Sequence, residues 1–288
     1  MKYNKYILAI VISSILAGTL GAFIKLIGDN MNGFAITFFR MVIAALAMGA
    51  YLVFVRKQSL KFSKKEFRHF VTLGILLTLA FTLYATAVLL APIPNVALLQ
   101  TDYVIFTALF AYLFLKEKIR FNQLLAIPIA ILGVWFMNPF VGSFSLGNIV
   151  ALLQGAAFAG FLVYMRKESK HSQNLLAIFW AFVTSAVLLF PLSIYFGFGN
   201  LAASINYLLI IGIIGTALTY SLLYYGLEKV QTEQSAFITL FVFTLASIGF
   251  AYLLVGEVIA QNILLGGSLL FGSAVLALWK YDLRSALS

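Results

Sequence analysis

Cysteine is absent from the 288-residue chain, and Asp and Glu together number only nine. Without thiols there is no disulfide framework, no thiolate nucleophile and no thiolate metal site. The two histidines, His69 and His171, fall in or beside basic loops. No HExxH, phosphate-binding loop or glycine-rich dinucleotide turn occurs. A metal centre or an intramembrane hydrolase would have little to work with, so the expectation is no cofactor, no metal ligand and no catalytic residue. Charge as a whole is sparse. Asp, Glu, Lys and Arg make up 10% of the chain, against about 25% in soluble domains.

Apolar residues fill the space left by charge. They form 63% of the chain, and the mean hydropathy is +1.04. No soluble fold of this size buries so much apolar surface. A transmembrane β-barrel would show segments of about ten residues with alternating polarity; here the apolar runs are about twenty long. They read as ten helical spans, roughly 6–27, 34–55, 69–90, 93–115, 121–138, 146–165, 173–197, 204–227, 233–254 and 261–280. Turn residues punctuate them, as in Gly28-Asp29-Asn30, Pro92-Ile93-Pro94 and Gly197-Phe198-Gly199-Asn200. The N-terminal run after Lys2 and Lys5 continues to about Ile27 without a small-residue cleavage site, and reads as a retained first span.

The net charge of +10 sorts to one side. Seventeen of the nineteen Lys and Arg residues fall in the terminal segments and in alternate loops, among them Arg56 to Arg68, Lys116 to Arg120, Arg166 to Lys170, and Lys229. Only Lys25 and Arg40 lie inside spans. The positive-inside rule then puts both termini of this multi-pass chain in the cytoplasm, and the plasma (inner) membrane is the expected location. The basic excess is a topology signal with some attraction for anionic lipid, and nucleic acid is not expected as a partner.

Shifting the chain by 140 residues aligns its halves. Phe110-Ala111-Tyr112-Leu113 falls on Phe250-Ala251-Tyr252-Leu253, Glu117 on Glu257, Asn122 on Asn262 and Leu83-Tyr84 on Leu223-Tyr224. Each half, 1–140 and 141–288, holds five spans. Five is odd, so the second half enters the membrane from the opposite side. The expected fold is all-α integral membrane, ten transmembrane helices as two inverted five-helix repeats. Such an arrangement can expose one midplane site to either side in turn.

The chain resembles the drug/metabolite transporter superfamily, specifically its EamA-type members with two five-helix repeats. The resemblance rests on Ala22-Phe23-Ile24-Lys25, Phe38-Phe39-Arg40, the run from Phe106 to Glu117, Gly133 and Leu254-Val255-Gly256-Glu257. The usual glycine of the Gly-Glu pair is Lys116 in the first half, and Val104 stands where members often have proline. The resemblance implies a small-molecule substrate, amino acids or related compounds, often exported. It also implies a central cavity built from spans one to four and six to nine, with spans five and ten peripheral.

Within the spans, the candidate substrate-binding residues are Arg40, Tyr84, Gln100, Asp102, Tyr103, Gln154, Trp180 and Tyr224. Asp102 stands about nine residues into the fourth span, roughly 13 Å deep by helical rise. A carboxylate there binds a substrate amine, carries a coupling proton, or pairs with Arg40 or Lys25. Arg40 either neutralises Asp102, holds a substrate carboxylate through its planar donor fork, or packs through its stem. Lys25 reads as a snorkelling residue. Trp180, the repeat counterpart of Arg40, is either an aromatic gate or buried packing. Tyr84 and its counterpart Tyr224, with Tyr103 and Tyr220, need hydrogen-bond partners if buried. Gln100 and Gln154 bind solute or bridge helices. Glu117 and Glu257 read as helix-terminal anchors.

A membrane enzyme on lipid-linked substrates would need polar or acidic clusters at the interface, which the short uncharged loops do not supply. A non-transporting scaffold or sensor would leave the polar residues inside the spans as an uncompensated cost. A passive channel differs from a carrier in conducting far faster than any carrier turns over. The sequence leaves proton coupling, and the choice between monomer and homodimer, open.

Overall fold

The structure, a computed structural model, describes residues 4–137, 146–167, 175–230 and 232–279. His171, the basic residues Lys2, Lys170, Lys280 and Arg284, and the expected span ends at 138, 173–174 and 280 lie outside the described residues. Among the described residues ten helices follow one another: α1 (Asn4–Ile27), α2 (Gly33–Val55), α3 (Lys64–Leu90), α4 (Ile93–Leu115), α5 (Phe121–Met137), α6 (Leu146–Lys167), α7 (Leu175–Phe196), α8 (Leu201–Leu227), α9 (Thr232–Phe250, continued by Ala251–Val255) and α10 (Gln261–Leu278). Nine of them include an apolar stretch long enough to cross a membrane, and the tenth, α5, has 17 residues. The protein is an all-α integral membrane protein.

Local sequence sets the helix ends. Asn32 accepts the Ala35 N–H at the start of α2, and Asn200 accepts the Ala203 N–H at the start of α8. Ser63 and Glu66 form a reciprocal capping box at the start of α3. Pro94 occupies the first turn of α4, where its missing N–H costs nothing. The ends of α4 and α9 close identically. The Ala111 carbonyl accepts the N–H groups of Lys116 and Glu117, and the Ala251 carbonyl those of Gly256 and Glu257. Lys116 (φ 57°) and Gly256 (φ 74°) both adopt the left-handed conformation this wrap requires.

The packing repeats as the sequence does. Helix α3 packs on α6 as α8 packs on α1; α4 packs on α6 as α9 packs on α1; α3 packs on α7 as α8 packs on α2. Helices α2 and α7, and α5 and α10, pair with their own counterparts. Adding five to each helix number exchanges the members of this set, which is the signature of two inverted five-helix repeats.

The α5–α10 pair packs backbone to backbone. A Cβ on Gly266 would stand 2.5 Å from the Gly133 carbonyl oxygen, so both helices need glycine at the crossing. Asn122, at the start of α5, donates to the Trp279 carbonyl at the end of α10 (3.2 Å). Asn262, at the start of α10, donates to the Met137 carbonyl at the end of α5 (3.1 Å). Among the described residues neither helix of the pair lines the cavity, which is bordered by α1 to α4, α6, α8 and α9.

Two departures from regular α-helix position the cavity wall. Helix α4 breaks into a 3₁₀ turn at Gln100–Asp102, and α8 widens into π-helix over Ile210–Leu218. Apolar periodicity carries no signal for either.

Candidate functional site

A cavity of about 150 Å³ lies between the repeats, lined from α1, α2, α3, α4, α6, α8 and α9. Among the described residues, helices α5, α7 and α10 contribute no side chain to it. The walls are aromatic (Phe81, Tyr84, Tyr103, Phe158, Tyr220 and Phe243), with Ser and Thr hydroxyls between the rings. Among the described residues one lining side chain carries a full charge, Arg40, and no carboxylate lines the cavity.

Arg40 is buried, 2% exposed. Its Nε donates to Thr216 Oγ1 at 2.7 Å, and the guanidinium lies over the Phe81 ring, 4.1 Å from its centre. The threonine belongs to the π-helical stretch of α8, and its hydroxyl in turn donates to the Ile211 carbonyl five residues back (2.7 Å). The widened turn thus presents Thr216 Oγ1 to α2, as π-bulges often do at functional sites. With Nε engaged and one face covered by Phe81, the Nη1/Nη2 fork is the part of Arg40 left for a ligand. A planar fork of this kind suits a carboxylate.

Three further polar atoms on cavity-lining residues are buried without a protein partner: Gln100 Nε2, Gln154 Oε1 and Thr244 Oγ1. Buried polar atoms are nearly always satisfied, so three unpaired ones on residues bordering one space mark it as a candidate site for a polar guest. Arg40 and Gln100 offer donors, and Gln154 offers an acceptor.

Of the eight residues expected from sequence, the structure brings Arg40, Tyr84, Gln100, Tyr103 and Gln154 to the cavity and sets three elsewhere. Asp102 is buried, 5% exposed, but faces α6, with its carboxylate in contact with Gly155. Among the described residues no side chain pairs with its carboxylate, Arg40 and Lys25 included. Arg40 instead engages Phe81 of α3 and Thr216 of α8. Trp180 donates from Nε1 to the Leu60 carbonyl in the α2–α3 loop (3.1 Å) and meets Phe62 edge-on at 4.7 Å, so it packs on a basic loop and does not cap the cavity. The Tyr224 hydroxyl sits against Met165 Sδ (3.9 Å), turned from the cavity that its counterpart Tyr84 lines.

Lys25 does more than reach the interface. Its Nζ donates to the Val88 and Ala91 carbonyls at the end of α3 (2.9 and 3.0 Å) and lies 3.7 Å from Glu257 Oε1. Glu257 also accepts the Ile93 N–H at the start of α4 (2.6 Å), joining the repeats at the end of the bundle away from the basic loops.

Several lining residues were missed from sequence, and the repeat could have found some of them. The 140-residue shift takes Gln154 to Ser14, Gln100 to Leu240 and Tyr103 to Phe243, and all six line the cavity. Thr216 gives no such signal, because its counterpart is Leu76.

Inverted helical repeats around a buried cavity are an architecture of membrane transporters. The model of the EamA-like transporter family matches residues 4–138 and again 145–279, and the chain belongs to that family. An uncharacterized transporter of Archaeoglobus fulgidus is 24% identical over 283 residues, spanning 97% of each chain. An S-adenosylmethionine uptake transporter of Rickettsia prowazekii is 22% identical over 200 residues, 69% of this chain and 67% of that one; its Rickettsia bellii counterpart is also 22% identical over 200 residues. One crystal structure superposes with a TM-score of 0.63 at 16% identity, over 93% of this chain and 94% of the other, a likeness of fold. The protein is a membrane transporter of small molecules.

Proposed function

We propose that the protein is a secondary transporter of amino acids or related compounds, holding the substrate carboxylate on Arg40. The observation that carries this reading is the charge of the cavity: a single guanidinium and no lining carboxylate among the described residues. A free amino acid brings the missing anion. Its ammonium group finds the Gln154 Oε1 acceptor and the faces of Tyr and Phe rings, which attract cations. The Rickettsia relatives named for S-adenosylmethionine uptake favour the same class, since that compound keeps a free amino-acid end.

Transport proceeds by rocking of the two repeats, taken as 1–140 and 141–288, about the cavity. The proposed location is the plasma membrane, the charge-sorted loops support cytoplasmic termini, and reporter fusions at either terminus and in the 56–68 loop test that orientation. Export is the direction the family resemblance suggests. Asp102, buried beside the cavity wall with no charged partner among the described residues, is the proposed carrier of a coupled proton.

The test is substrate-dependent thermal stabilisation of the purified protein across a panel of amino acids, their amides and their decarboxylated amines. Counterflow in proteoliposomes preloaded on one side follows. Acids are expected to stabilise and exchange, and amines lacking the carboxylate are not. Equal responses to both would overturn the assignment of the carboxylate to Arg40.

A further inference from the structure

A second recess, of about 310 Å³, lies between α2 and α8 and takes no part in the transport reading. Its walls are Ala47, Met48 and Tyr51 on one side and Ile213, Ala217 and Leu218 on the other. Gly212 lets Ile43 pack onto its backbone, so the two helices touch there. From that point the recess runs toward the basic end of the bundle, beside the π-helical turns Tyr51–Val55 and Ile210–Leu218. Its length is roughly 15 Å at helical rise.

The groove faces hydrocarbon. Ile213 and Leu218 on its wall are 44% and 43% exposed, and α2 is apolar and exposed on its outer side at Leu46 (70%) and Phe54 (79%). Water has no place at such a surface, and an apolar channel there is filled by a chain of matching chemistry.

The basic end carries charge. The Arg56 guanidinium lies 5.8 Å from the centre of the Tyr51 ring, and its Nε donates to the Tyr51 hydroxyl (3.1 Å). Lys5 Nζ lies 5.7 Å from the centre of the Tyr225 ring, another part of the wall. The acid that faces both cations is Glu228, whose Oε1 is 4.0 Å from Arg56 Nη2. Two cations against one carboxylate leave a net positive mouth, and Lys57 and Lys229 flank it in sequence.

We propose that this groove binds an anionic phospholipid, with one acyl chain between α2 and α8 and the phosphate at Arg56 and Lys5. The site is separate from the substrate cavity but shares a wall with it. Ala217 faces the groove, while Gly215 and Thr219 of the same stretch face the cavity. A seated lipid therefore braces the turn that holds Thr216 against Arg40.

Native mass spectrometry of the purified full chain, titrated with phosphatidylglycerol or phosphatidylcholine of identical acyl chains, tests the assignment. Phosphatidylglycerol should be retained preferentially. The variant Lys5→Gln/Arg56→Gln, changed only at the surface, should weaken its retention about fivefold for each charge removed, the size expected of one basic residue near an anionic surface. Phosphatidylcholine binding should not change. Ala47→Phe, which fills the groove, should reduce retention of both lipids. Equal retention of the two lipids by the wild type would overturn the proposal, as would an undiminished phosphatidylglycerol preference in the charge variant. The charge variant decides even if Ala47→Phe fails to fold.

Discussion

The carboxylate of Asp102, on α4, occupies the space that a side chain at Gly155, on α6, would need. The two residues come from different repeats, so the fit is a direct joint between the halves beside the cavity wall. It also explains why Asp102 does not reach the cavity: the 3₁₀ turn at Gln100–Asp102 sends Gln100 and Thr101 inward and turns Asp102 toward α6.

Gly155→Ala should therefore destabilise the protein by about 1–3 kcal/mol, the usual cost of overpacking a close contact. Most of that loss should vanish in an Asp102→Ala background. Thermal unfolding of the four proteins in one detergent measures the coupling. Equal losses in both backgrounds would show that the two side chains do not share the space.

Asp102→Asn keeps the shape and removes the ionisable group. If the residue carries a proton, the variant should lose proton-driven uptake while retaining substrate exchange at zero gradient. The check is uptake into proteoliposomes with and without an imposed pH gradient. A variant that still follows the gradient assigns the coupling elsewhere.

Arg40→Gln should raise KM for a carboxylate substrate about 10- to 100-fold, as expected when a charged hydrogen-bonding group of about 1.5–3 kcal/mol is lost. Thr216→Val should give a smaller rise, because it frees the guanidinium from the acceptor that orients it. Thr216→Ser should behave as the wild type. Transport kinetics separate these effects, since maximal velocity is expected to change less than KM in each.

Lys116 is a non-glycine residue in the left-handed conformation where its counterpart is Gly256. Lys116→Gly should stabilise the protein by about 0.5–1 kcal/mol, the relief of left-handed strain less the added flexibility of the unfolded chain. Gly256→Lys should be destabilising. Both are read from melting temperatures.

Span number, span position and the inverted repeat were legible in the sequence because lipid imposes a length and Lys and Arg mark one face. The ends of α4 and α9 were legible in another way. Identical residues at 111 and 251 close identical turns. Which way each polar residue faces was not legible. A helix surrounded by lipid and other apolar helices is apolar all round, so periodicity does not fix its rotation. Tyr84 and Tyr224 occupy equivalent places in the repeat, yet only Tyr84 lines the cavity. Trp180 escaped because its partner, the Leu60 carbonyl, lies in a loop 120 residues away. Thr216 escaped because a π-helical widening leaves no trace in apolar spacing.

The glycine crossing of α5 and α10 has a mechanical consequence. Gly133 against Gly266 and an asparagine clamp at each end make these two helices a tightly fixed pair, and in the rocking proposed above that pair is the expected pivot post. A covalent staple across the post should leave turnover intact. A staple between α4 and α6, where Asp102 meets Gly155, should arrest it.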